Sequence, residues 1–244
     1  MQFKQTSIEI TQTPSSLKRK RPPMSSSLTS KLSKLNDPVD TRTKMKRTEK
    51  QIPSPENISS HTSPDAYINL IIESHSGEPV KPCPAMSIPN YFLEPTEEHM
   101  ASYTTEVLAA VQEQDIESIK ALMKDGHSFQ CCNRFGESVI HMACRRGLKK
   151  VLTFLLKEAD LSVRIKDDYG RTPLHDACWS KDPQFEIIEM LLQQEPGLLF
   201  VTDKRGFTPF AYSRMEHWST WHQFLYENRN FVLETEKLKE IFQR

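Results

Sequence analysis

The sequence predicts an all-α solenoid of stacked helix pairs preceded by a disordered arm, and three observations carry that expectation. The segments NRFGESVIHMACRRG, DYGRTPLHDACWS and KRGFTPFAYSRM repeat one pattern, with Gly136, Gly170 and Gly206 spaced by 34 and 36 residues. The first two are each followed by apolar residues at helical spacing: Leu152, Leu155 and Leu156 in one case, Ile187, Ile188, Leu191 and Leu192 in the other. Composition divides the chain as well, since twelve of its sixteen prolines fall at or before Pro95 and six of its seven glycines at or after Gly126. A fixed period in this range marks a unit that cannot bury its apolar face alone and does so by stacking on its neighbours.

Residues 1–85 form the predicted arm. They are rich in Ser, Thr, Pro and Lys, with no sustained apolar period, so they bury too little apolar surface to offset the entropy of ordering. Twelve Lys/Arg against five Asp/Glu in residues 1–60 make this region basic, which the zero net charge of the 244-residue chain conceals. Lys18, Arg19, Lys20 and Arg21 precede Pro22-Pro23, and Lys44, Lys46 and Arg47 form a second cluster. The first run is a candidate nuclear localisation signal, with a solvated basic tail as the plainer reading. Thr13-Pro14, Ser54-Pro55 and Ser63-Pro64 are candidate sites of proline-directed phosphorylation. Residues 86–103, containing Tyr91, Phe92 and Leu93, read as a strap leading into the fold.

Four units follow, at about 104–132, 133–166, 167–202 and 203–230, and a C-terminal helix at 231–244 closes the stack. Gly170-Arg171-Thr172-Pro173-Leu174-His175 shows the physics of one unit. Glycine permits the positive backbone angle of a tight turn, Thr172 caps the next helix, and Pro173 suits its first position. Ala177 and Cys178 keep that helix thin, and Asp182-Pro183 lengthens a turn without touching an apolar face. The first unit (Thr105, Val107, Ala110, Ile119, Leu122) lacks the Pro-Leu-His core and reads as an N-terminal cap. In the fourth, a shorter and more polar second helix is expected around Trp221 to Leu225, with Trp218 and Trp221 as core filler.

These residues resemble the ankyrin repeat, most closely at Thr172 to His175, and the resemblance covers roughly half the chain. Ser138-Val139-Ile140-His141 departs from the pattern by lacking the proline, and Ala211 stands where histidine is expected. The resemblance implies a right-handed curved stack with projecting hairpin tips, which binds proteins through the tips and the concave face and is rarely catalytic. It also implies that His141 and His175 tie neighbouring turns together and that Cys144 and Cys178 pack in place of alanine. The alternative for these four residues, a tetrahedral zinc site from two His-x-x-Cys pairs, is the weaker reading.

The expected partner is therefore another protein, bound by large or charged residues at positions the repeat leaves open. At the tips these are Arg134, Phe135, Tyr169, Arg171, Arg205 and Phe207, and on or near the concave helices Arg145, Arg146, Asp176 and Trp179, with Tyr212 and Met215 beside them. The runner-up is a nuclear regulatory cofactor whose basic arm adds nonspecific nucleic-acid contacts. No apolar stretch approaches the ~20 residues that span a bilayer, and the N-terminus lacks a secretory pattern, so an intracellular monomer in cytoplasm or nucleus is expected. Five cysteines without framework spacing are expected as reduced thiols. No phosphate-cradling glycine motif occurs, and Cys131-Cys132 lacks the orienting group and oxyanion site of a nucleophile. No enzyme activity, cofactor or metal is expected.

Overall fold

The computed structural model describes residues 51–79 and 81–242, with side chains through residue 236. Helices dominate. Three successive pairs form the body: α3 (Thr105–Gln112) with α4 (Ile116–Lys124), α5 (Val139–Arg145) with α6 (Lys149–Lys157), and α7 (Pro173–Trp179) with α8 (Phe185–Gln194). The first helices stack on one another, α3 on α5 and α5 on α7, and the second helices do the same, α6 on α8. The thin faces of α5 and α7 are buried throughout, Val139 to Cys144 and Pro173 to Cys178, which is why small residues recur there. The apolar stripes of α6 and α8 close the core from the other side with Val151, Leu152, Leu155, Ile187, Ile188 and Leu191.

Each of α5 and α7 starts with the same device. The Ser138 and Thr172 backbone N–H groups donate to Nδ1 of His141 and His175, at 3.2 and 3.0 Å, forming the capping box of the helix. A nitrogen that accepts from an N–H carries no proton, so Nε2 of each ring is the donor. It reaches the carbonyl of the next unit, Arg171 O at 3.0 Å from His141 and Phe207 O at 3.1 Å from His175. Each imidazole thus fastens its own helix start to the neighbouring hairpin. Burial, partly offset by the Phe207 carbonyl, lowers His175 from 6.5 to about 4, so the ring stays neutral.

The arm boundary expected at residue 85 is too late. Residues 64–76 form a helix, α1 (Pro64–Ser76), whose Tyr67, Ile68, Ile71 and Ile72 are buried. It packs on α9 (Trp218–Glu227) and α10 (Arg229–Phe242). Its start is set by Ser63, whose hydroxyl accepts from Ala66 N–H, and by Pro64 at the first position; Gly77, at φ 77°, ends it. Tyr67 donates to Pro53 O at 2.7 Å, His222 Nε2 meets Thr62 O at 2.9 Å, and Asp65 bonds the Thr208 hydroxyl. The part of the arm expectation that falls on residues 1–50 lies outside the described residues.

From α1 the chain runs back along the stack. β1 (Cys83–Pro84) pairs in parallel with β2 (Val201–Thr202), Leu93 N–H donates to Arg164 O at 2.8 Å, and Cys132 N–H donates to His99 O at 3.2 Å, beside α2 (Glu97–Ala101). Tyr91 and Phe92 dock in an edge arrangement at 4.7 Å, under Arg164 and Lys166 respectively. Glu195 bonds Arg164, and burial, reinforced by the Glu195 charge, pushes the Tyr91 phenol far above its ordinary range. The strap therefore touches successive units from the C-terminal end to the N-terminal end.

The fourth unit differs from expectation in the opposite helix. α9 has ten residues, as many as α8, whereas the first element is a single 3-10 turn, Pro209–Tyr212. Ala211 supplies no imidazole for the Thr208 cap, and the Thr208 hydroxyl is taken by Asp65. Ser213 then turns to extended backbone and its hydroxyl satisfies Phe210 O at 2.7 Å. Trp221 is fully buried against Phe185, Phe210 and Phe224, whereas Trp218 is half-buried and bonds Ser213 O.

Candidate protein-binding face

The hairpin tips are built by a residue the sequence patterns repeat without advertising. Asn133, Asp167 and Asp203 each stand three positions before the turn glycine. Asp167 Oδ1 accepts from Tyr169 and Arg171 N–H at 3.0 and 2.7 Å, and Asp203 Oδ1 from Arg205 and Phe207 N–H, both at 2.9 Å. Asn133 repeats the arrangement with Phe135 and Glu137. Successive tips are stitched together: Asp168 N–H donates to Phe135 O at 2.7 Å and Lys204 N–H to Tyr169 O at 2.8 Å. Gly136 sits at φ 77°, and a Cβ there would lie 2.9 Å from Lys166 O, so both conformation and space require glycine.

On this frame the tips present rings and cations together. Phe135, Tyr169 and Phe207 are each about half exposed, as is Trp179 at the end of α7. The Arg134 guanidinium lies 4.6 Å from the Phe135 ring, Arg171 5.6 Å and Lys204 5.9 Å from Tyr169, and Arg205 5.2 Å from Phe207. Tyr212 joins the fourth tip to the inner helices, with its ring 5.7 Å from Trp179, 6.5 Å from Phe207 and 5.4 Å from His175. Its hydroxyl donates to Asp203 Oδ2 at 2.7 Å and receives Arg205 at 2.7 Å. Burial pushes the Asp203 carboxyl up, but the Tyr212 hydroxyl and the N–H groups of Phe207 and Arg205 outweigh it and hold the group ionised.

Among the anticipated residues, contacts join Arg134 with Phe135, Arg171 with Tyr169, and Arg205 with Phe207, with Tyr212 linking Phe207 to Trp179. Arg134, Phe135, Tyr169, Arg205, Phe207, Arg146 and Trp179 are exposed, and Arg171 is partly exposed and bound to Asp167. Arg145 is half-buried, tied to Glu137 and lying 3.8 Å from Asp176. Asp176, expected on the open concave face, is instead buried, and that burial pushes its carboxyl up against the opposing pull of Arg145 and Arg171. Met215 is exposed. Lys18 to Arg21 lie outside the described residues. Sequence reasoning passed over Lys204 and the three tip organisers, although aligning the units on their glycines puts Asn133, Asp167 and Asp203 in one column.

The residues considered for chemistry are committed elsewhere. Both ring nitrogens of His141 and His175 are engaged in hydrogen bonds. Burial pushes Cys131 up to about 12 and raises Cys132, Cys144 and Cys178, so these thiols resist forming the reactive thiolate. No helix among the described residues is long and apolar enough to cross a membrane.

Residues 107–213 match the family model of ankyrin repeats in three copies. An ankyrin repeat protein of Rickettsia conorii is 41% identical over 58 residues, which are 23% of this chain and 80% of that protein. This chain belongs to the ankyrin-repeat family. An ankyrin repeat protein of Rickettsia felis is 32% identical over 83 residues, 34% of this chain and 39% of its own length. Human Rabankyrin-5 is 39% identical over 79 residues, 32% of this chain and 6% of that protein. This ankyrin chain thus spans well under half the length of either of the latter two relatives. Ankyrin repeats generally mediate protein–protein interactions, and the family is typically non-enzymatic.

Proposed function

We propose that the chain is an adaptor that binds a partner protein through its ankyrin tips and the adjoining ends of the inner helices. One observation carries this reading: Phe135, Tyr169, Phe207 and Trp179 stay about half exposed, the first three each beside a guanidinium or ammonium group and Trp179 edge-on to Tyr212. Leaving such rings in water forfeits their burial energy, and aromatic residues with arginine are the usual anchors of interfaces. The strap docks along the loops behind the tips and leaves this row open.

The test compares affinity capture by the full chain with capture by the Tyr169→Ala/Trp179→Ala variant, after circular dichroism has established equal helicity and thermal midpoint. Loss of specific partners with the fold intact supports the reading. Undiminished capture by the folded variant refutes it.

A further inference from the structure

The cations on the tips form a ladder that no single repeat encodes. Arg134 precedes its ring, Arg171 follows its own, Lys204 reaches back from the fourth tip to Tyr169 in the third, and Arg205 lies against Phe207 and Tyr212 together. A guanidinium laid on a ring keeps N–H donors at its edge, a geometry suited to carboxylates. The acids that orient Arg171 and Arg205 are buried, with Asp167 and Asp203 side chains 4% and 0% exposed, so they do not confront a ligand. Arg134 and Lys204 have no carboxylate within ion-pair distance among the described residues.

Resting on the protein-binding role above, we propose that this face recognises an acidic peptide in the polyproline II conformation, with a carboxylate at every third residue. Neighbouring packed helices lie about 8–10 Å apart, which sets the spacing of successive tips. A polyproline II chain has three residues per turn and rises about 3.1 Å per residue, so every third side chain returns to the same face after about 9 Å. Ridges of aromatic rings such as Trp179, Tyr212 and Phe207 are the kind of surface on which such segments dock. A nucleic acid fits less well. The cations Arg134, Arg171, Lys204 and Arg205 are spread over three tips, sparse for a phosphate chain that is charged at every nucleotide.

The test measures fluorescence anisotropy of labelled (Glu-Pro-Pro)4 titrated with the full chain at physiological salt. It is run against (Gln-Pro-Pro)4, an isomer with its four Glu clustered, and oligothymidylate carrying the same charge. The expected result is at least tenfold tighter binding of the regularly spaced Glu peptide than of all three. The Arg134→Glu/Lys204→Glu variant, with an unchanged thermal midpoint, should weaken that peptide at least tenfold and prefer (Lys-Pro-Pro)4. Equal affinity for the Gln or clustered peptide, tighter binding of the oligonucleotide, or no peptide binding overturns the proposal. If the peptides fail while Tyr169→Ala/Trp179→Ala still abolishes partner capture, the partner chemistry is wrong and the protein-binding role stands. If capture also survives that variant, both fail.

Discussion

His175 links protonation to fold integrity. Its ring accepts Thr172 N–H and donates to Phe207 O, and its folded value of about 4 lies below the ordinary 6.5 because burial opposes the charge. The unfolded chain therefore binds a proton before the folded one does. Stability is whole above pH 6.5 and is lost as pH falls toward 4, by about 2 kcal/mol at pH 5. Urea melts at pH 7.5 and pH 5 should show this loss in the wild type and a loss smaller by about that amount in His175→Asn; equal losses would contradict it. The tip glycines offer a second contrast. Gly136 and Gly206 share a positive φ, but a Cβ at Gly206 meets open space whereas one at Gly136 meets Lys166 O at 2.9 Å. Gly206→Ala should cost about 1 kcal/mol and Gly136→Ala about 3 kcal/mol by chemical denaturation.

At the scale of elements, the strap and α1 turn a nearest-neighbour stack into one bracketed by its own N-terminal segment. Ile71 is fully buried in α1, so Ile71→Ala should destabilise by about 2–5 kcal/mol, and amides of residues 67–76 should be protected from hydrogen exchange. Fast exchange there with no loss of stability would mean that α1 is not docked. The sequence spelled out the central units because glycine, Thr-Pro-Leu-His and the apolar stripes act locally and recur. α1 was legible too, since Tyr67, Ile68, Ile71 and Ile72 are spaced as one helical face and Ser63, Pro64 and Gly77 punctuate it. Composition averaged over the arm hid it. The register of β1 on β2 and of Leu93 on Arg164 has no local signal, because it depends on residues some 70–120 positions away.

On the scale of the whole molecule, the buried core and the exposed row are separable. The tip residues were readable as positions the repeat leaves unconstrained, whereas Asp176, three residues before Trp179, was misplaced because periodicity alone does not settle which side of a short helix faces its neighbour. Because the exposed rings add little to the core, Tyr169→Ala/Trp179→Ala should shift stability by no more than about 1 kcal/mol while removing partner capture. The most direct test is photo-crosslinking of the full chain bearing p-benzoylphenylalanine at Tyr169 or Trp179, or at exposed Lys157 on α6 as the control. Crosslinks to one partner from positions 169 and 179, and none from 157, are the expected result. Equal labelling from all three positions, or labelling from 157 alone, would contradict the assignment of binding to this face.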